Sequence, residues 1–146
     1  MENHLAMEAL LIERLKTEVP DFLAVLGMAD LASMQEAGQP APAAHVIYQG
    51  DSIPGGDSRA GNGAAQVVAQ TWLVVVAVRN VRDTKGGAAA REDAGPLISK
   101  TLAALSGWAA PGFRPLRRVN APRPGFNAGY GYFPLAFEAK LITGAA

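Results

Sequence analysis

The sequence contains no cysteine. Disulfides, cysteine-built zinc sites and thiol catalysis are therefore excluded. Histidine is scarce as well, so His4 and His45 are the only possible imidazole bases. Charged residues make up 18% of the chain, below the usual quarter of a globular domain. A surface this poor in charge suits a chain that covers itself with copies or partners. The longest apolar run, Trp72 to Val78, falls far short of the roughly 20 residues that span a bilayer, so no membrane partner is expected. Met1-Glu2-Asn3-His4 lacks the basic and apolar regions of a signal peptide, which predicts a protein made and used in the cytoplasm.

The 146 residues fit the size of one domain, and a single domain over 1–146 is the expectation. A chain of this length buries roughly 68–70% of its unfolded surface, and 49% apolar residues can fill such a core. The 13 basic and 13 acidic residues cancel, but unevenly along the chain. Residues 1–58 hold two bases against nine acids, and residues 59–146 hold eleven against four. Two readings stand open. The halves intermix in space and the dipole vanishes, or one subunit carries complementary faces that favour head-to-tail contacts.

Apolar spacing predicts an amphipathic helix over residues 3–19, with Leu5, Ile12, Leu15 and Val19 inward, Asn3 as its cap and Pro20 as its stop. Asp21 is expected to cap a short helical turn burying Phe22, Leu23 and Leu26, closed by Gly27, and residues 30–37 to form one more helical stretch. Ala44 to Tyr48 reads as the first strand, followed by a glycine-rich loop over 49–63. The second strand, 66–78, is apolar on both faces beyond Trp72, and such a strand is covered on both faces. One cover is expected from another subunit. A second helix is expected from Glu92 or Asp93 to Ser106, with Pro96 in its first turn, Ile98, Leu102 and Leu105 as its core stripe, Leu97 and Thr101 beside it, and Gly107 as its stop. Residues 113–120 read as a third strand and 121–130 as a long connection. A fourth strand, 132–142, points Phe133, Leu135, Phe137, Ala139 and Leu141 one way, with Pro134 demanding an edge or a bulge. The expected fold is α+β: a four-stranded, mainly antiparallel sheet with helices on one face, in the order α-β-β-α-β-β.

No constellation carries chemistry. The serines sit in no nucleophile elbow, and His45 begins a strand and reads as structural. Asp51 and Asp57 lie in the glycine-rich loop, where such residues shape turns more often than they hold a cation. Gly61-Asn62-Gly63 and Gly86-Gly87 lack the lysine of a phosphate loop and the strand-to-helix context of a dinucleotide site. No catalytic, cofactor or metal residue is assigned, and no cofactor is expected. Arg114, Arg117, Arg118 and Arg123, with Phe113 and Phe126, could engage nucleic acid, but an isoelectric point near 6.7 does not suit a dedicated binder. Arg117, Arg118 and Arg123 are instead read as subunit-interface residues that meet acids of a neighbouring copy.

Two blocks carry a family resemblance. The first is Trp72-Leu-Val-Val-Val-Ala-Val-Arg-Asn80, a charged glycine-rich loop, then Ala94-Gly-Pro-Leu97 opening a helix. The second is residues 115–125, Pro-Leu-Arg-Arg-Val-Asn-Ala-Pro-Arg-Pro-Gly, followed by residues 129–137, Gly-Tyr-Gly-Tyr-Phe-Pro-Leu-Ala-Phe. With the N-terminal helix and its Val-Pro, they resemble the tail-terminator-like proteins of Mu-like bacteriophages and prophages over nearly the whole chain. The resemblance implies a virion structural protein of the tail or neck, assembled in the host cytoplasm. It implies a ring, typically a hexamer, that caps the tail tube, stops its polymerisation and joins it to the head connector. It implies tube and connector proteins as partners, no sequence-specific nucleic acid, and genome DNA passing through the ring. Alternatives from the residues alone are another head-completion or tail-completion subunit, or a small ligand-binding domain or enzyme using residues 49–63 as a lid.

Overall fold

A fourteen-residue segment, eight of whose residues are β-branched or aromatic, forms the spine of the fold. The computed structural model describes residues 3–27, 40–54, 65–79, 88–127 and 129–143. Within them the order is α1 (Met7–Glu18), β1 (Ala24–Leu26), β2 (Ala43–Ser52), β3 (Gln66–Arg79), α2 (Ala88–Leu105), β4 (Arg117–Val119), β5 (Gly125–Asn127) and β6 (Tyr130–Thr143). The strands make one sheet in the order β1-β2-β3-β6-β4, and β5 pairs with β6 as well. β1 runs parallel to β2, and every other pairing is antiparallel.

The α+β class, the long central strand and the helices on one face agree with the sequence reading. The strand count does not: there are six strands in a mixed sheet, not four in the order α-β-β-α-β-β. The added elements are three-residue strands at the two sheet edges. Segments so short show no alternation, and neighbours create them. Residues 24–26 form β1 rather than the end of a helical turn because Leu23 donates its amide to the Pro42 carbonyl at 2.7 Å, which starts the ladder with β2. Leu23 is consequently 71% exposed instead of buried. The expected strand over 113–120 shrinks to Arg117–Val119, because the Leu116 amide and carbonyl turn back to Trp108 and Gly107. The expected connection over 121–130 contains β5. The helix expected over 30–37 lies outside the described residues.

Both helices are shifted from their expected faces or bounds. α1 starts at Met7, and Asn3 caps the turn before it by accepting the Leu5 amide at 2.9 Å. Its buried stripe is Met7, Leu11 and Leu15, while Leu5 and Ile12 flank it. α2 begins at Ala88, since three alanines extend it upstream. Pro96 thus sits in the helix interior rather than its first turn. The stripe of α2 against the sheet is Ala94, Leu97, Thr101, Ala104 and Leu105, with Ile98 and Leu102 to one side. Thr101 is tolerated there because its hydroxyl donates to the Leu97 carbonyl at 2.8 Å. Gly107 adopts φ +79 just past the helix end, the left-handed stop its position predicts.

Period two in β3 and β6 places Val68, Trp72, Val74, Val76, Phe133, Leu135, Phe137 and Leu141 in one core with α1 and α2. On the opposite face Ala69, Val75, Ala77 and Ala136 are also buried within the subunit and Leu73 is half-buried, so the second cover expected from another subunit is largely present in the same chain. No described helix packs against that face. Register fixes the place of Pro134. Lys140 receives the Arg114 amide on its carbonyl at 2.9 Å, so Lys140 directs its backbone groups away from β3. Alternate residues of an antiparallel strand point the same way, and β6 pairs with β3 without a slip. Pro134 therefore turns its donorless nitrogen to that outer edge. There β4 covers residues 136–138, β5 covers residues 130–132, and Pro134 falls in the gap between them. The proline is edge-like within an interior strand.

Candidate functional site

The three arginines singled out from the sequence come together at the outer edge of β6, but not on one face. Arg117 lies opposite Glu138 in the β4–β6 ladder, and its Nη2 reaches the Glu138 carboxylate at 3.4 Å. Lys140 stands 3.6 Å from the same carboxylate. The Arg117 side chain is 70% exposed, so this ion pair contributes little to stability. Arg118 lies opposite Phe137, a core residue, and so projects to the helix face. Arg123 is exposed between Pro122 and Pro124 in the connection from β4 to β5. Among the described residues, neither Arg118 nor Arg123 enters an ion pair.

Beside Arg118 the β4–β5 connection arches over the gap in β6 and leaves a cleft of about 510 Å³. Its floor is Ile98, Phe133 and Leu135, its wall is Pro122 and Pro124, and Arg118 is its one charged lining residue. The three-residue strands produce this shape: a longer β4 would have paired with Pro134 and filled the notch. Residues 113–127 carry four arginines and no acid. Residues 3–27, which form α1 and the β1 edge, carry four acids and two bases. The sheet order puts β1 and the arginine-bearing segment at opposite edges, while Asp21 beside β1 already pairs with Lys100 of α2, so part of the uneven charge persists in space and part cancels.

A second cluster ties the N-terminal turn to the sheet, and sequence reasoning missed it. His4 Nε2 lies 2.9 Å from Asp51 Oδ2, and the Tyr48 hydroxyl donates to the same oxygen at 3.1 Å. The His4 hydrogen bond is the main effect holding the Asp51 carboxyl below its ordinary value; burial opposes it, and the Tyr48 hydrogen bond adds a smaller pull downward. Burial, then Asp51, push the Tyr48 phenol up. Gln70 donates to the His4 carbonyl at 2.6 Å and accepts from the Trp72 indole at 3.0 Å. His4 is thus anchored to the sheet, and Asp51 lies near the end of the β2 ladder rather than in the expected loop. The available signal was Gln70, a polar residue two positions before Trp72 on the same strand face. No serine hydroxyl joins this cluster, whose third member is a phenol.

His45 is almost fully buried on β2, opposite Val75. Asp57, Gly61-Asn62-Gly63 and Gly86-Gly87 lie outside the described residues. Among the described residues, no three His, Asp or Glu side chains converge as a metal site. No described helix is long and apolar enough to cross a membrane. A family model described as phage tail terminator protein matches residues 1–145. No curated protein matches the chain.

Proposed function

The chain belongs to the phage tail terminator protein family, and from that premise we propose that its copies form a ring that caps the tail tube, stops its polymerisation and joins it to the head connector. Membership makes the chain a phage tail structural component, and the match over residues 1–145 is the observation that carries the reading. In this reading the whole chain acts as one domain, for which one sheet and one shared core speak. Its partners are further copies, six to a ring, the tube protein below and the connector above, at the virion neck. DNA passes through without being read. The two long sequence blocks quoted above support kinship with Mu-like phages.

The opposite charge of the two sheet edges supports a head-to-tail ring, because a closed ring joins two different patches of each subunit. Arg117, Arg118 and Arg123 are the proposed interface donors. The function is structural, with no catalytic residue or cofactor. The experiment is deletion of the gene in its phage with complementation by the intact chain. Overlong tubes that fail to join heads are expected from the deletion. Tubes of normal length joined to heads would overturn the reading. Imaging of labelled chain at the tube–head junction separates a terminator from another neck subunit.

A further inference from the structure

The sheet carries an exposed apolar side chain on its acidic edge and an apolar cleft with a basic rim on the other. Leu23, 71% exposed, stands beside β1 two residues after Asp21. Its backbone is fixed by the hydrogen bond that its amide donates to the Pro42 carbonyl, and its side chain points outward. The cleft between β4 and β5 exposes Ile98, Phe133 and Leu135 beneath Pro122 and Pro124, with Arg118 at its rim.

We propose that this cleft receives Leu23 of a second copy, so that the β1 edge of one subunit docks on the β4–β5 edge of the next. The proposal rests on the reading that copies assemble, and it names the surfaces that meet. Three observations carry it. First, the charges are complementary. Glu18 and Asp21 precede Leu23 in the chain and pair at the surface with Arg14 and Lys100 of their own subunit, whereas Arg118 lines the cleft, and Arg123 adjoins it, without an ion pair among the described residues. The Asp21–Lys100 pair, at 2.6 Å, is exposed on both sides, so a cation of a second copy can compete for the carboxylate.

Second, Pro134 offers no backbone donor in the gap, so an added strand would find only a carbonyl there. The notch is shaped for a side chain rather than for a strand. Third, knob and cleft occupy opposite edges of one sheet. One subunit cannot satisfy itself, and the contact repeats from copy to copy in one direction.

The chain's lack of cysteine gives a direct test. Leu23→Cys and Pro122→Cys are combined in one chain and exposed to mild oxidant, then resolved by non-reducing electrophoresis and native mass spectrometry. A ladder of covalent multimers is expected from the double variant, and dimers alone from a mixture of the two single variants. Leu23→Asp should weaken self-association roughly 10-fold to 100-fold, the loss expected from one buried leucine. Leu23 is exposed in the subunit, so the variant should keep the wild-type far-ultraviolet spectrum. Arg118→Glu should weaken association and reduce its salt dependence.

Rings of normal mass with no 23–122 disulfide would overturn this docking while leaving the ring reading in place. A disulfide within a single monomer would overturn it too. A chain that stays monomeric both alone and on tube ends would overturn docking and ring together.

Discussion

Gln70 is completely buried, yet both ends of its amide are used: the nitrogen by the His4 carbonyl, the oxygen by the Trp72 indole. Truncation to alanine strands both partners, so Gln70→Ala should cost about 1–3 kcal/mol in urea unfolding and speed hydrogen exchange around residues 4–6. An unchanged midpoint would show that the network contributes nothing. Asp51 makes a related contact at the surface. Its folded pKa lies below the ordinary 3.8, first through His4. The stability it supplies is complete above that ordinary value and is lost as pH falls through the lower folded one. Between about pH 5 and about pH 3, the wild type should therefore lose more stability than Asp51→Asn, as read by unfolding at each pH. Equal losses would remove this contact from the acid limb. Phe137 is fully buried in the core that the sheet shares with the helices, and Phe137→Ala should cost about 3–5 kcal/mol in the same measurement.

At the scale of elements, α2 carries the clearest imperfection. Pro96 leaves the carbonyl four residues upstream, that of Glu92, without an amide donor. Pro96 is exposed, so little packing is lost on replacement. Pro96→Ala should stabilise the subunit by about 1–3 kcal/mol, seen as a higher denaturation midpoint. A lower midpoint would mean that the proline shapes the helix for its seat on the sheet. The edges of the sheet show the opposite economy. β4 and β5 stop after three residues each, and the half-buried Pro134 between them blocks strand addition while opening the cleft. Alternation made β3 and β6 legible in the sequence because both are long and each buries one face under helices. It could not reveal β1 and β5, or trim the strand expected over 113–120 to β4, because these three-residue strands exist only where a neighbouring strand supplies their hydrogen bonds.

For the whole molecule, the separation of charge between the two edges governs what a substitution does to assembly. Arg117 already has Glu138, on the face away from the helices, whereas Arg118 sits at the cleft without an acid among the described residues. The two neighbours should therefore behave differently. Arg117→Glu should change subunit stability by no more than about 1 kcal/mol and weaken assembly less than Arg118→Glu, because Glu138 already holds part of the Arg117 charge. Arg118→Glu should impair assembly while the subunit stays folded. Sedimentation of both variants over a range of salt checks this. Equal defects would move the interface to both faces, and no defect in either would remove these arginines from it.

The amino-acid sequence alone determined the chemistry that is missing and the elements that are long. Absent cysteine and scarce histidine are facts of composition, and period-two and helical spacing need no partner to be read. The two resembling blocks pointed to the family that the match over residues 1–145 then showed. The tertiary structure decided which residues meet. Arg117 and Arg118 are adjacent in the chain, but a strand sends adjacent side chains to opposite faces. His4 and Asp51 are 47 residues apart and touch, because β2 carries Asp51 back to the turn before α1. Leu23 looked like a core residue by type, and one hydrogen bond to Pro42 turned it outward. Such placements depend on register and edge position, which the pairing of distant segments sets and no local pattern encodes.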